Sequence, residues 1–160
     1  MARFDDDDEV TEASAALWAA NVKRAIAGRR GQKALCELEQ ALVALGLKLL
    51  IAGELVLFDR LDGRDQYCAL GAFAIWKTGR IEATGTEDAW IETVAEGLRC
   101  GLTKTLAIKI SMVNDEPGKM NWATYERVPE DPEDRYWRVL AWVRRQIKEE
   151  SSGSEQDPVA

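Results

Sequence analysis

The sequence predicts a mainly helical α+β fold, a single domain of four to five helices with a central β-hairpin. Three observations carry this. Apolar residues recur at three-four spacing in several segments that begin at capping residues and end at glycine. Two apolar runs flank "RLDGR", where Asp62-Gly63 supplies the backbone conformations of a tight hairpin turn. With 160 residues and 46% hydrophobic content, the chain can bury one sizeable core.

Within the expected domain, 11–149, the first helix carries Trp18, Val22, Ala25 and Ile26, with Thr11 or Ser14 to cap it and Gly28 to end it. After Gly31 a second helix sets Leu35, Leu38, Leu42 and Leu45 on one stripe and stops at Gly46. "LKLLIAGELVLFD" and "QYCALGAFAIW" then read as the hairpin strands, with a turn to helix after Gly71 as the alternative for the second. Thr86, Glu87 and Asp88 open a helix bearing Trp90, Ile91, Val94 and Leu98, which Gly97 and Gly101 weaken. Residues 102–114 fit a strand through Leu106, Ile108, Ile110 and Met112, and a helix through Leu102, Leu106, Ile110 and Val113; helix is the expectation. A polar loop from Asp115 to Glu130 exposes Trp122 and Tyr125. The last helix has Asp131 as cap, Pro132 in its first turn and a stripe of Tyr136, Val139, Leu140, Val143 and Ile147.

The ends differ from this body. Residues 1–10 hold "DDDDE", which repels itself, and 150–160 hold little to bury, so both read as disordered tails. Net charge is −7, but residues 1–12 account for −5 and 151–160 for −2, so the domain between them is neutral. The acidity belongs to the tails, and a large polyanion-binding footprint is not expected. No apolar run is long enough for a membrane span, and the N-terminus is acidic where a secretory signal would be basic, so the expectation is a cytoplasmic protein. Cys36, Cys68 and Cys100 lie on or beside apolar stretches and cannot all pair, which suits buried, reduced thiols. Their flanks share no pattern, so their equal spacing is not an internal repeat.

Histidine is absent. That removes the commonest general base, the Ser-His and Cys-His pairs, and the usual imidazole ligands. No P-loop, dinucleotide fingerprint or Cys-x-x-Cys pair is present. No catalytic residue, cofactor or metal site is therefore assigned. The most unusual local feature is "NVKRAIAGRRGQK", where Lys23, Arg24, Arg29, Arg30 and Lys33 stand together with no acid between Glu12 and Glu37. With Gly31 and Gln32 at a helix start, this corner reads as a site for an anion, a nucleic-acid backbone or an acidic partner. The alternative is a solvated corner whose arginines bond the chain's own carbonyls. Asn114, Asp115 and Glu116 offer too few oxygens for calcium and read as capping and ion-pair groups. Six tryptophans are many for this length, and Trp122, Trp137 and Trp142 are candidates for an aromatic patch that anchors a partner, the alternative being secondary core.

Taken together, "GRRGQKALCELEQAL", "LIAGEL", "CALGA", "VNDE" and "PEDPEDRYWRVLAWVRRQI" resemble an uncharacterised family of small proteins encoded by tailed bacteriophages and prophages. The resemblance spans about 15–148 and is weakest at 77–86 and 117–129. It implies a phage-encoded protein of the host cytoplasm and transfers no activity. The leading expectation is a non-enzymatic accessory protein that binds a host or phage protein. The alternatives are a nucleic-acid or phosphate binder using 23–33, and a metal-assisted enzyme using Asp115, Glu116 or Glu54. Oligomeric state is not readable from the sequence.

Overall fold

The computed structural model describes residues 7–58, 63–82, 88–116 and 120–148. Asp62, Thr86, Glu87 and most of the two expected tails lie outside the described residues. Among the described residues, six helices and two small antiparallel hairpins make a mainly helical α+β single domain. The helices are α1 (Asp7–Ala27), α2 (Arg29–Ala44), α3 (Ala69–Thr78), α4 (Ala89–Arg99), α5 (Lys104–Asn114) and α6 (Pro132–Gln146). Strands β1 (Val56–Phe58) and β2 (Asp65–Tyr67) form the first hairpin, with Leu57 opposite Gln66. Strands β3 (Met120–Asn121) and β4 (Glu126–Arg127) form the second.

One more helix is present than the sequence suggests, because most of the expected second strand is α3. That segment is small and apolar on every side: Ala69, Leu70, Gly71, Ala72, Phe73 and Ala74 are all buried. A helix apolar all round sits at the centre of a core, and its sequence shows no one-sided stripe to give it away. α3 packs on α2, α4 and α5. Cys68 caps it, its thiol accepting from the Gly71 amide, and Asn114 Oδ1 accepts from the Ala69 amide at 2.9 Å. Gly71 lets the chain before β1 pass closely, since a Cβ there would lie 2.2 Å from the Leu55 carbonyl oxygen.

α2 carries the predicted stripe: Leu35, Leu38 and Leu42 are fully buried, while Leu45 is half-buried at the C-terminus. Residues 104–114 are helical, capped by the Thr103 hydroxyl. α6 begins where predicted, its Asp131 carboxylate accepting from the Glu133 amide. Its Tyr136 is buried and donates to the Leu42 carbonyl at 2.9 Å, tying α6 to the end of α2. α1 opens at Asp7, earlier than either suggested cap, and packs on α2 and α5.

Two further expectations change. Of the four apolar residues on α4 only Val94 is buried, and Trp90, Ile91 and Leu98 are about half exposed. The face of α4 turned inward is Thr93, Val94, Glu96 and Gly97, because Gly97 allows the closest approach to α5: a Cβ there would meet Ala107 Cβ at 2.8 Å. Gly97 is therefore a packing residue. Gly101, at φ +93°, ends the helix in a Schellman turn in which the Leu102 amide reaches the Gly97 carbonyl and the Gly101 amide the Leu98 carbonyl. The expected loop at 115–130 contains the β3–β4 hairpin, with Trp122 and Tyr125 exposed between its strands and Tyr125 in the left-handed region at φ 55°.

Candidate functional site

The sequence singles out the junction of α1 and α2, and half of its polar side chains are occupied there. The Arg30 guanidinium donates from Nε and Nη2 to the Gly101 carbonyl at 3.0 and 2.8 Å, stapling α2 to the end of α4. Gln32 donates to the Ile26 carbonyl at 2.8 Å and the Gln146 carbonyl at 3.0 Å, and its Oε1 accepts from the Lys148 amide. One side chain thus pins the ends of α1 and α6 together. Gly31 is buried, and a Cβ there would lie 1.8 Å from the Ala25 carbonyl oxygen, so its role is a close helix approach. Lys33 faces Glu37 one turn on, at 3.9 Å. Lys23, Arg24 and Arg29 are exposed.

Of the acids considered for chemistry, Asp115 and Glu116 are likewise engaged, while Glu54 is exposed. Asp115 Oδ1 accepts from the Gly53 amide and from Asn114 Nδ2, and Asn114 Nδ2 also donates to the Ile51 carbonyl. Glu116 pairs with Arg138 at 2.9 Å. Arg138 also makes a two-pronged contact with Glu130, at 2.7 and 2.8 Å, and reaches the Val113 carbonyl at the end of α5. Hydrogen bonding to Arg138 holds the Glu130 carboxyl below the usual carboxylate range. Arg135 is buried beside the same Glu130, 3.4 Å away, and donates to the Leu50 carbonyl. These groups fasten the 50–55 segment and the α5 terminus to α3 and α6. Among the described residues no cluster of three His, Cys, Asp or Glu side chains is placed to hold a metal.

Burial pushes the Cys68 thiol up to about 12 and raises Cys100 as well, so neither is a ready nucleophile. All three cysteines are free thiols.

The three candidate tryptophans are placed differently. Trp122 is exposed on the second hairpin, and Trp137 is half-exposed with its ring edge-on to Tyr136, 5.0 Å between centroids. Trp142 is half-buried against the core. Residues 137 and 142 lie about 140° apart around a helix, so they face different sides of α6.

What the sequence does not single out is a groove that Trp142 lines. It runs between α1, α5 and α6 and encloses about 580 Å³. Its apolar lining is Trp18, Val22 and Ile26 of α1, one turn apart, with Trp142 opposite. Lys23, Lys109, Arg145 and Lys148 line it as well, and among the described residues no carboxylate does. A second hollow of about 350 Å³, shared through Lys109, Trp142 and Arg145, continues it past Met112 to the Glu116–Arg138 pair. The groove thus extends the basic junction along the molecule: Lys23 belongs to both, and Gln32 fixes the α1 and α6 ends that frame it.

No protein family matches the chain, no curated protein is similar to it at a significant level, and no solved structure matches it. No described helix is long and apolar enough to cross a membrane.

Proposed function

We propose that the protein is a non-enzymatic accessory protein, phage-encoded and working in the host cytoplasm, that acts by binding another protein in the groove between α1, α5 and α6. The observation that carries this reading is the composition of that groove, an apolar lining containing two tryptophans together with four cations and, among the described residues, no carboxylate. Buried aromatic anchors inside a polar rim are how protein interfaces concentrate binding energy. The absence of histidine and the structural employment of Asp115 and Glu116 favour binding over catalysis. The phage origin rests on the resemblance of the five motifs, four of which place residues in α2, α3, α5 and α6.

Nucleic acid is the less favoured occupant, because residues 13–150 carry no net charge, α1 starts within the acidic run at Asp7, and phosphate binding scales with the number of cations engaged. The test is affinity capture with the wild-type chain, a Lys23→Glu/Arg145→Glu groove variant and an Arg24→Ala/Arg29→Ala corner variant, each with and without nuclease. A protein retained by the wild type and the corner variant, lost by the groove variant and indifferent to nuclease meets the expectation. Equal retention by the groove variant, or release by nuclease, would overturn it.

A further inference from the structure

We infer that the segment taken up by the groove is an acidic amphipathic helix, an inference that rests on the docking reading just given. The first argument is charge. Three basic side chains near other helix seams have carboxylate partners: Arg144 with Glu39 at 2.8 Å, Lys77 with Glu37 at 2.8 Å, Arg138 with Glu130 at 2.7 Å. Arg145, the next residue after Arg144, turns to the groove instead, and neither it, Lys23 nor Lys109 has a carboxylate partner among the described residues. Cations gathered around one groove repel each other unless a ligand supplies the missing negative charge.

The second argument is backbone chemistry. The groove is walled by three helices whose backbone groups are paired within themselves, and neither hairpin borders it. An extended segment would find no strand edge there and would leave its own N–H and C=O groups unpaired on an apolar floor. A helix satisfies those groups internally and needs only side-chain complementarity. The third is shape. Trp18, Val22 and Ile26 form one ridge along α1 at four-residue spacing, and a helix with apolar residues at i, i+3, i+4 and i+7 lays its own ridges beside such a row.

The test uses the full chain and dye-labelled synthetic peptides of about 16 residues, long enough to hold a helix. One has a leucine stripe flanked by glutamates. Its counterpart has the same stripe flanked by lysines, and a third is the acidic peptide broken by two prolines; a single-stranded oligonucleotide is the fourth probe. Fluorescence anisotropy at low salt should show saturable binding of the acidic helix, at least about tenfold tighter than the other three. Lys23→Glu/Arg145→Glu should weaken it about tenfold, since two exposed charge contacts are lost, while circular dichroism stays unchanged. Trp18→Ala, which removes apolar floor and no charge, should weaken it as well.

If the lysine or proline-broken peptide binds as tightly and Trp18→Ala weakens that binding, the groove keeps its docking role and the acidic-helix assignment falls. If the acidic peptide binds and neither variant changes its affinity, the docking reading itself falls. Tighter binding of the oligonucleotide, or no saturable binding of any peptide, overturns the proposal.

Discussion

Gly31→Ala separates the geometry of this fold from helix propensity, because the two predict opposite signs. Position 31 lies in the first turn of α2, where alanine is intrinsically better than glycine by about 1 kcal/mol. On propensity alone the substitution stabilises. Here, though, the added methyl carbon would lie 1.8 Å from the Ala25 carbonyl oxygen and 2.9 Å from its carbon, both backbone atoms of α1. Neither can swing aside as the end of a side chain could, so α2 has to withdraw from α1 by something on the order of 1 Å. α2 carries Leu35, Leu38 and Leu42, all fully buried, and its own Arg30 and Gln32 bonds, so withdrawal disturbs the core and the junction together. Overpacking of this kind costs about 1–3 kcal/mol. After the propensity gain is subtracted, a net destabilisation of up to about 2 kcal/mol is expected, read as a lower urea midpoint at unchanged slope by far-UV circular dichroism. Gly46→Ala is the control: nothing lies within 4 Å of the added carbon, and a gain of up to about 1 kcal/mol is expected. If Gly31→Ala leaves the midpoint unchanged or raises it, α1 and α2 do not approach as described and the account of this junction is wrong.

Leu38→Ala should cost about 2–5 kcal/mol in the same assay, as a large-to-small change at a fully buried position in the middle of α2. Asn114→Ala removes the acceptor of the buried Ala69 amide and the donor to the Ile51 carbonyl, and about 2–5 kcal/mol is expected from the two groups left unpaired. Arg30→Ala should cost less than about 1 kcal/mol, because its bonds to Gly101 lie where water can replace them, and Arg29→Ala should cost nothing measurable in a denaturation midpoint. The Cys68 thiol is held protonated by burial, from 9.0 up to about 12, so its stabilising contribution is full below about pH 9 and is lost as pH rises towards about 12. Comparison with Cys68→Ser, which keeps the cap and does not titrate there, should show an extra alkaline loss on the order of 4 kcal/mol across that window; parallel pH profiles would refute it.

Much of the helical frame is legible in the sequence because its signals are local. The α6 cap at Asp131 with Pro132 behind it, and the leucine stripe of α2, are set by a few residues acting on their own turn. α3 is only an alternative in the sequence, a turn to helix after Gly71, for the opposite reason. Its first six residues, Ala69 to Ala74, are all apolar and buried, so periodicity cannot separate them from a buried strand, and what decides it is the surround of α2, α4 and α5. The half-exposed Trp90, Ile91 and Leu98 of α4 follow from a long-range cause too. Gly97 brings α4 onto α5 along its small-residue side, and tight backbone approach decides which face is inward over the sum of side-chain hydrophobicity.

The same distinction between local and assembled signals explains the site. The run from Lys23 to Lys33 stands out in one window of sequence, yet its chain neighbours point to different tasks: Arg30 to a carbonyl of the α4 turn, Gln32 to the ends of α1 and α6, Lys33 to Glu37. The groove draws single residues from three helices, Lys23 from α1, Lys109 from α5 and Arg145 from α6, and neither Lys109 nor Arg145 is conspicuous among its own neighbours. Lys109 sits between two isoleucines, and Arg145 completes what reads as routine charge complementarity at a helix C-terminus. Only the packing of α1 and α6 against α5 places them around one groove. A basic cluster in sequence is therefore weaker evidence for a binding surface here than a set of separate cations that the fold brings together with no carboxylate among the described residues. Charge reversal at Lys23 and Arg145 thus probes the function more directly than truncation of Arg29 and Arg30.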